Sequence, residues 1–162
     1  MREFNQTVSY KKGEIGERIL DKKLILTGKW IPYKPVFDGA HPFDRLLATP
    51  KKDKLSILEV KTLTARNAKP QWRNTGFPDT GISIAHYNEY LHISKEYSLP
   101  IFIAFVDAIY KEIYGNYLKA LKASTIISHR GKSIAYPRIE SNFTAVGGKI
   151  VYFPLENMVR NI

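Results

Sequence analysis

Residues Pro100 to Asp107 read PIFIAFVD, and every residue from Ile101 to Val106 is apolar. A strand with one wet face alternates apolar and polar side chains. A short continuous apolar run instead suits a central strand covered on both faces. This run predicts a layered fold, so other segments must supply the covers. Two segments carry a helical apolar stripe. Lys12 to Thr27 places Ile15, Ile19, Leu20, Leu24 and Leu26 near one side, with Gly28 as a stop. Ile82 to Tyr97 does the same with Ile84, Tyr87, Tyr90, Leu91 and Ile93. Glu112 to Ala123 is read as a further helix, with Tyr114, Tyr117, Leu118 and Leu121 as its apolar side. Lys149 to Phe153 is read as a late strand and Leu155 to Ile162 as a short closing helix.

Two paired strands precede the central one. Phe43 to Ala48 and Leu55 to Lys61 flank a turn at Pro50–Asp53. Trp30 to Phe37 is an irregular or edge strand, because Pro32 and Pro35 cannot donate to a ladder. Thr62 to Gly81 lacks periodicity and is read as a long loop. The resulting order, α-β-β-β-α-β-α-β-α, predicts an α/β fold with a mixed central sheet flanked by helices. The 162 residues form one domain, 1–162, long enough to bury a core without staples.

The hairpin carries charges that a core strand does not need. Alternate side chains of a strand share a face. Glu59 and Lys61 therefore point together and Val60 points to the opposite layer. The partner strand brings Asp44 close. Adjacent carboxylates ionise poorly unless a cation joins them. Mg²⁺, or Mn²⁺ in its place, takes one or two carboxylates and keeps water and phosphate oxygens in its other positions. The Val60 carbonyl is a further candidate ligand. Such an ion polarises a phosphoryl oxygen and lowers the pKa of bound water. Lys61 would hold the attacking water or offset charge on the phosphate. If partly desolvated, it would serve as a base instead. These parts suffice for phosphodiester hydrolysis. The competing reading makes Glu59–Lys61 a surface ion pair and Asp44 a turn residue.

Composition narrows the partner. The net charge is +10, spread along the chain and not gathered in a tail, so folding assembles a basic face suited to nucleic acid. There is no cysteine, which excludes disulfides, thiolate metal sites and thiol nucleophiles. The stretch MREFNQTVSYKKGE has no apolar secretion signal, and no run approaches the length of a membrane span. The expected location is the cytoplasm, with no membrane partner. Arg66, Lys69, Trp72 and Arg73 follow the hairpin and are candidate contacts to DNA phosphates and an unpaired base. Lys11, Lys12 and Arg18 flank the first helix as further backbone contacts. Ser124 to Asn142 carries no functional signal.

Pro42-Phe43-Asp44 followed by Ile57-Leu58-Glu59-Val60-Lys61 resembles the motif of the PD-(D/E)XK nuclease superfamily, whose fold is restriction-endonuclease-like. Phe43 stands between the proline and the acid. Gly13-Glu14-Ile15-Gly16-Glu17-Arg18 is similar to the G-x-x-x-E-R opening of archaeal Holliday-junction resolvases in that superfamily. The resemblance spans about Gly13 to Asp107. It implies Glu17, with Glu14 as its rival, as a third acidic ligand beside Asp44 and Glu59, and Lys61 as the catalytic amine. It implies a Mg²⁺-dependent DNA endonuclease working as a homodimer. In the helix after the lysine strand, where many relatives carry Gln, His86 stands nearest and is a further candidate nucleic-acid contact. No sequence-reading element is apparent, so a structure-selective or weakly sequence-selective enzyme fits. The alternative is a non-catalytic nucleic-acid-binding module or a subunit of a larger DNA-processing assembly. An RNA-directed nuclease would differ only in substrate.

Overall fold

The structure, a computed structural model, describes residues 8–63 and 79–161. Helix α1 spans Val8–Thr27 and starts earlier than its apolar stripe. Gly28 ends it at φ +65°, donating its N–H to the Leu24 carbonyl at 3.0 Å. Strands β1 (Ile31–Tyr33), β2 (Arg45–Ala48) and β3 (Leu55–Leu63) follow. After the undescribed segment come β4 (Asp79–Ser83), α2 (Ile84–Tyr97), β5 (Ile101–Asp107) and β6 (Glu112–Tyr117). The chain closes with a short helix α3 (Leu118–Leu121), then β7 (Thr125–His129), β8 (Lys132–Tyr136), β9 (Arg138–Ser141), β10 (Lys149–Pro154) and β11 (Val159–Arg160).

The main sheet is mixed and has the order β1-β2-β3-β5-β6-β11. Its one parallel pair among the described residues is β3 with β5, Glu59 opposite Ile103 and Lys61 opposite Phe105. The crossover between them contains α2. A second sheet, β4-β10-β9, and a hairpin, β7-β8, complete the strands. β1 lies at the edge of the main sheet, as its Pro32 requires.

The apolar run of β5 is explained by what covers it. Ile101, Ile103 and Phe105 face Tyr90 and Ile93 of α2 together with Ile82, Val151 and Phe153 of the second sheet. Ala104 and Val106 face the other way, into a cluster with Leu20 and Leu24 of α1, Leu47, Leu58 and Val60. Each fully buried side chain of this size contributes roughly 1.5–3 kcal/mol. The apolar run therefore corresponds to a double cover that exists.

Several sequence expectations are corrected. Glu112 to Ala123 is a strand followed by one short helical turn. Tyr114 and Tyr117 have helical spacing, but pairing against β5 overrides it, with Phe102 opposite Tyr117 and their rings 5.2 Å apart. A β-carbon at Gly115 would sit 2.3 Å from the Ile103 carbonyl oxygen, so only glycine fits this close pairing. The closing helix expected from Leu155 is absent among the described residues, which end at Asn161. A 3₁₀ turn at Leu155–Asn157 leads into β11, which adds to the outer edge of β6. Residues 124–142, silent in sequence, form a hairpin turning at Arg130 and Gly131, both at positive φ, and then β9. Thr62, Leu63 and Asp79 to Gly81, read as loop, are strand instead, since β3 runs to Leu63 and β4 begins at Asp79; residues 64–78 of that reading lie outside the described residues. Among the described residues, no helix is long and apolar enough to cross a membrane.

Candidate active site

The pairing of β2 with β3 stops at Arg45 opposite Leu58. Beyond that point the strands part, and the β3 edge would leave the Val60 N–H without a ladder partner. Asp44 fills the gap. Its Oδ2 accepts the Val60 N–H at 2.7 Å. The carboxylate thereby replaces a missing backbone carbonyl and is held at the fork of the two strands, next to Glu59.

Glu59 faces the α2 layer and is nearly buried, at 9 % exposure. Its Oε1 accepts from Lys61 Nζ at 2.7 Å and from the Tyr90 hydroxyl at 2.6 Å. The sequence expectation that Glu59 and Lys61 share a face holds in the backbone and in the side chains. Lys61 Nζ also lies 5.1 Å from the centroid of the Tyr90 ring. Burial, then the neighbouring Glu59 charge, pushes the Tyr90 hydroxyl well above the usual tyrosine range, so it remains a donor.

Asp44 shows the electrostatic consequence. Burial first, then the charge of Glu59, raises its carboxyl from 3.8 to about 7. Glu17 adds to the rise, while the Val60 N–H and Lys61 oppose it. The site is thus poorly neutralised by the protein's own groups, which is the donor chemistry a hard divalent cation relieves. Among the described residues no three His, Cys, Asp or Glu side chains form a ready metal cage. Two carboxylates with water and phosphate oxygens are nevertheless a usual Mg²⁺ arrangement. The residues present fit that ion.

Glu17 reaches the site from α1. A β-carbon at Gly16 would fall 1.9 Å from Thr62 Oγ1, so the helix lies directly on β3 at this point. Glu17 Oε2 is bound to Arg45 Nη1 at 2.6 Å. Arg45 is itself buried and also donates to Asp21 Oδ2 at 3.0 Å and to the Asp44 carbonyl at 2.8 Å. Its cation therefore ties α1 to the strand that carries Asp44, and it occupies one oxygen of Glu17. The rival Glu14 pairs instead with Arg18, 3.6 Å away at the surface.

A cavity of about 280 Å³ opens beside Asp44, lined by Gly13, Glu17, Lys34, His41, Asp44 and Arg45 among others. Glu59 and Lys61 do not line it. Larger cavities lie elsewhere, near Lys95 and Lys119 at the far end of α2, away from these acids.

The structure thus brings together Asp44, Glu59 and Lys61, with Glu17 alongside. Val60 joins them through its N–H, and its side chain packs in the α1 layer. Lys12 and Arg18 are exposed on α1. His86 stacks on Tyr90, ring centroids 6.1 Å apart, one helical turn from the Glu59 hydrogen bond. Arg66, Lys69, Trp72 and Arg73 lie outside the described residues. Sequence reasoning missed Tyr90, assigned to packing alone, and Arg45. The spacing of His86 and Tyr90, one turn apart on a helix after the lysine strand, was the available signal for Tyr90. For Arg45, it was a cation adjoining the predicted acid.

No family model matches the chain, and no curated protein does. Among solved structures the chain is similar to Hjc of Archaeoglobus fulgidus, a Holliday junction resolvase from an archaeal hyperthermophile. The TM-score is 0.47 at 13 % identity, covering 76 % of this chain and 86 % of that one. At that level the likeness carries no inference about activity, which rests on the residues around Asp44.

Proposed function

We propose that this chain is a divalent-metal-dependent nuclease that hydrolyses DNA phosphodiester bonds, selecting substrates by structure or only weakly by sequence. The observation that carries this reading is the Asp44–Glu59 pair at the fork of β2 and β3, with Asp44 pushed up to about 7 and Lys61 bound to Glu59. Asp44 and Glu59 would hold Mg²⁺, or Mn²⁺, with Glu17 and the Val60 carbonyl completing the set. The ion would supply charge neutralisation and Lewis-acid polarisation of a phosphate oxygen.

The chain's own residues supply the rest. Lys61, steadied by Glu59 and the Tyr90 ring, offers N–H donors to an attacking water or a phosphate oxygen. Tyr90 holds the Glu59 side chain in the orientation that Lys61 uses. Hydrolysis forms one phosphorus–oxygen bond from water and breaks another. The attacking water gives up a proton and the departing oxygen takes one. The net charge of +10 supports a polyanionic substrate. Action as a homodimer on two strands, and a cytoplasmic location, belong to the same proposal.

A second reading has its own observation. Arg45 already occupies Glu17 at 2.6 Å, which favours a non-catalytic nucleic-acid-binding module or a subunit of a DNA-processing assembly. Incubating the protein with branched, duplex and single-stranded DNA, in Mg²⁺, Mn²⁺ or EDTA, separates the two. The nuclease reading expects metal-dependent cutting that Asp44→Ala and Lys61→Ala reduce by about 10²-fold or more. It also expects Asp44→Ala to retain DNA affinity. Binding without cutting on every substrate would favour the module. Undiminished cutting by Asp44→Ala would move the site elsewhere.

A further inference from the structure

The connection between β1 and β2 is irregular, yet it is fastened at the site. Phe37 packs edge-on against the buried Phe43, ring centroids 5.3 Å apart, and Phe43 immediately precedes Asp44. The His41 ring stands edge-on to Phe37 at 5.5 Å. Gly39, at φ +100°, makes the reversal that returns the chain towards Asp44. His41 is therefore positioned by the same aromatic contacts that anchor the acid.

Lys34, from the start of this connection, and His41 both line the cavity that Asp44, Glu17 and Arg45 line. Among the described residues neither Lys34 nor His41 forms an ion pair, although carboxylates border the same space. One Glu17 oxygen is paired with Arg45 and not with either of these nitrogen donors. At about 280 Å³ the cavity lies just below the usual size of small-ligand pockets. It has room for a phosphate and part of its sugar, but not for a duplex.

We propose that Lys34 and His41 form a phosphate clamp that holds the non-bridging oxygens of a nucleic-acid phosphate in this cavity, beside Asp44. The identity of the anion's parent as DNA rests on the nuclease reading, whereas the clamp itself rests on the cavity. The clamp fixes the position of the strand relative to the carboxylates. Phosphate contacts of this kind set register and affinity and carry no base information.

The test is binding in EDTA, where no cutting occurs, followed by NMR of the imidazole signals. The probes are a short labelled single-stranded oligonucleotide and inorganic phosphate, at matched ionic strength. The expected result is saturable perturbation of His41 by the oligonucleotide. The combined variant Lys34→Ala, His41→Gln should bind it about 10-fold more weakly. Lys34→Ala alone should lower the salt slope of log K by roughly 0.7, the loss of one phosphate contact on a single strand. Lys119→Ala, remote from the cavity, serves as the matched control, and thermal melts verify that each variant is folded. Perturbation by inorganic phosphate as strongly as by the oligonucleotide would assign the site to free phosphate and overturn the strand-holding role. A silent His41, or a combined variant that binds like wild type, would overturn the clamp even if the protein cuts DNA. A clamp that behaves as expected in a protein that never cuts would leave the clamp standing and remove the nuclease reading.

Discussion

Tyr90 of α2 donates its hydroxyl to Glu59 Oε1 at 2.6 Å from a position only 3 % exposed, and so links the helix layer directly to the acid of β3. Tyr90→Phe keeps the ring and removes the donor. Buried hydrogen bonds to charged acceptors contribute roughly 1.5–3 kcal/mol, so urea unfolding should show a loss in that range. Cutting should fall, because Glu59 loses one of the two donors that orient it. An unchanged unfolding midpoint would mean that the hydrogen bond contributes nothing.

Asp44 gives the metal-free protein a defined pH dependence. Its carboxyl titrates at about 7 when folded, against an ordinary 3.8. Between those values the folded chain keeps a proton that the unfolded chain has released. Stability from this group is therefore complete below pH 3.8 and is lost as pH rises through about 7. At about 1.36 kcal/mol per unit the upper limit is roughly 4 kcal/mol. Asp44→Asn preserves an acceptor for the Val60 N–H and removes the charge. In EDTA at about pH 8, above the folded value, it should melt higher than wild type, with a flatter profile. Added Mg²⁺ should raise the wild-type Tm and leave the variant nearly unmoved.

Arg45 is a buried cation that serves two carboxylates and a carbonyl. Arg45→Met leaves Glu17 and Asp21 without their counter-charge at the edge of the core. Breaking such a pair from one side costs about 3–5 kcal/mol, which chemical denaturation will read. Arg45→Lys should recover only part of it, since a point charge cannot replace the guanidinium fork. Full recovery by lysine would show that charge alone matters here.

Gly16→Ala offers a check on how closely α1 lies against β3. Alanine is the better helix former by about 1 kcal/mol, so an open site would be stabilised. Here the added carbon meets Thr62 Oγ1 at 1.9 Å and the Thr62 β-carbon at 2.8 Å. We expect a loss of about 1–3 kcal/mol from overpacking, and partial recovery in Gly16→Ala, Thr62→Ala. The melting temperatures of the single and double variants decide it.

Several features are legible in the sequence because they arise from local patterning. The unbroken apolar run from Ile101 to Val106 signals a central strand, since only a strand covered twice tolerates it. The stripe of α2 and the shared face of Glu59 and Lys61 follow from periods of 3.6 and 2, whereas in α1 only Ile19, Leu20 and Leu24 of the expected stripe reach the core and Ile15 and Leu26 are exposed. The misreadings lie where a remote partner overrides local preference. Residues 112–117 have tyrosines at helical spacing, but the free edge of β5 captures them as a strand. β11 is likewise made by the open edge of β6.

The order of residues was enough to specify that two acids and a lysine would meet at the end of a hairpin, because strand alternation and a short turn leave little choice. How they are held was left to tertiary packing. Tyr90 reaches Glu59 across 31 residues of chain, Arg45 reaches Asp21 across 24, and Asp44 caps Val60 where two strands part. Such contacts depend on how layers stack and where a ladder ends, and these are set by the packing of the whole core and not by the order of neighbouring residues.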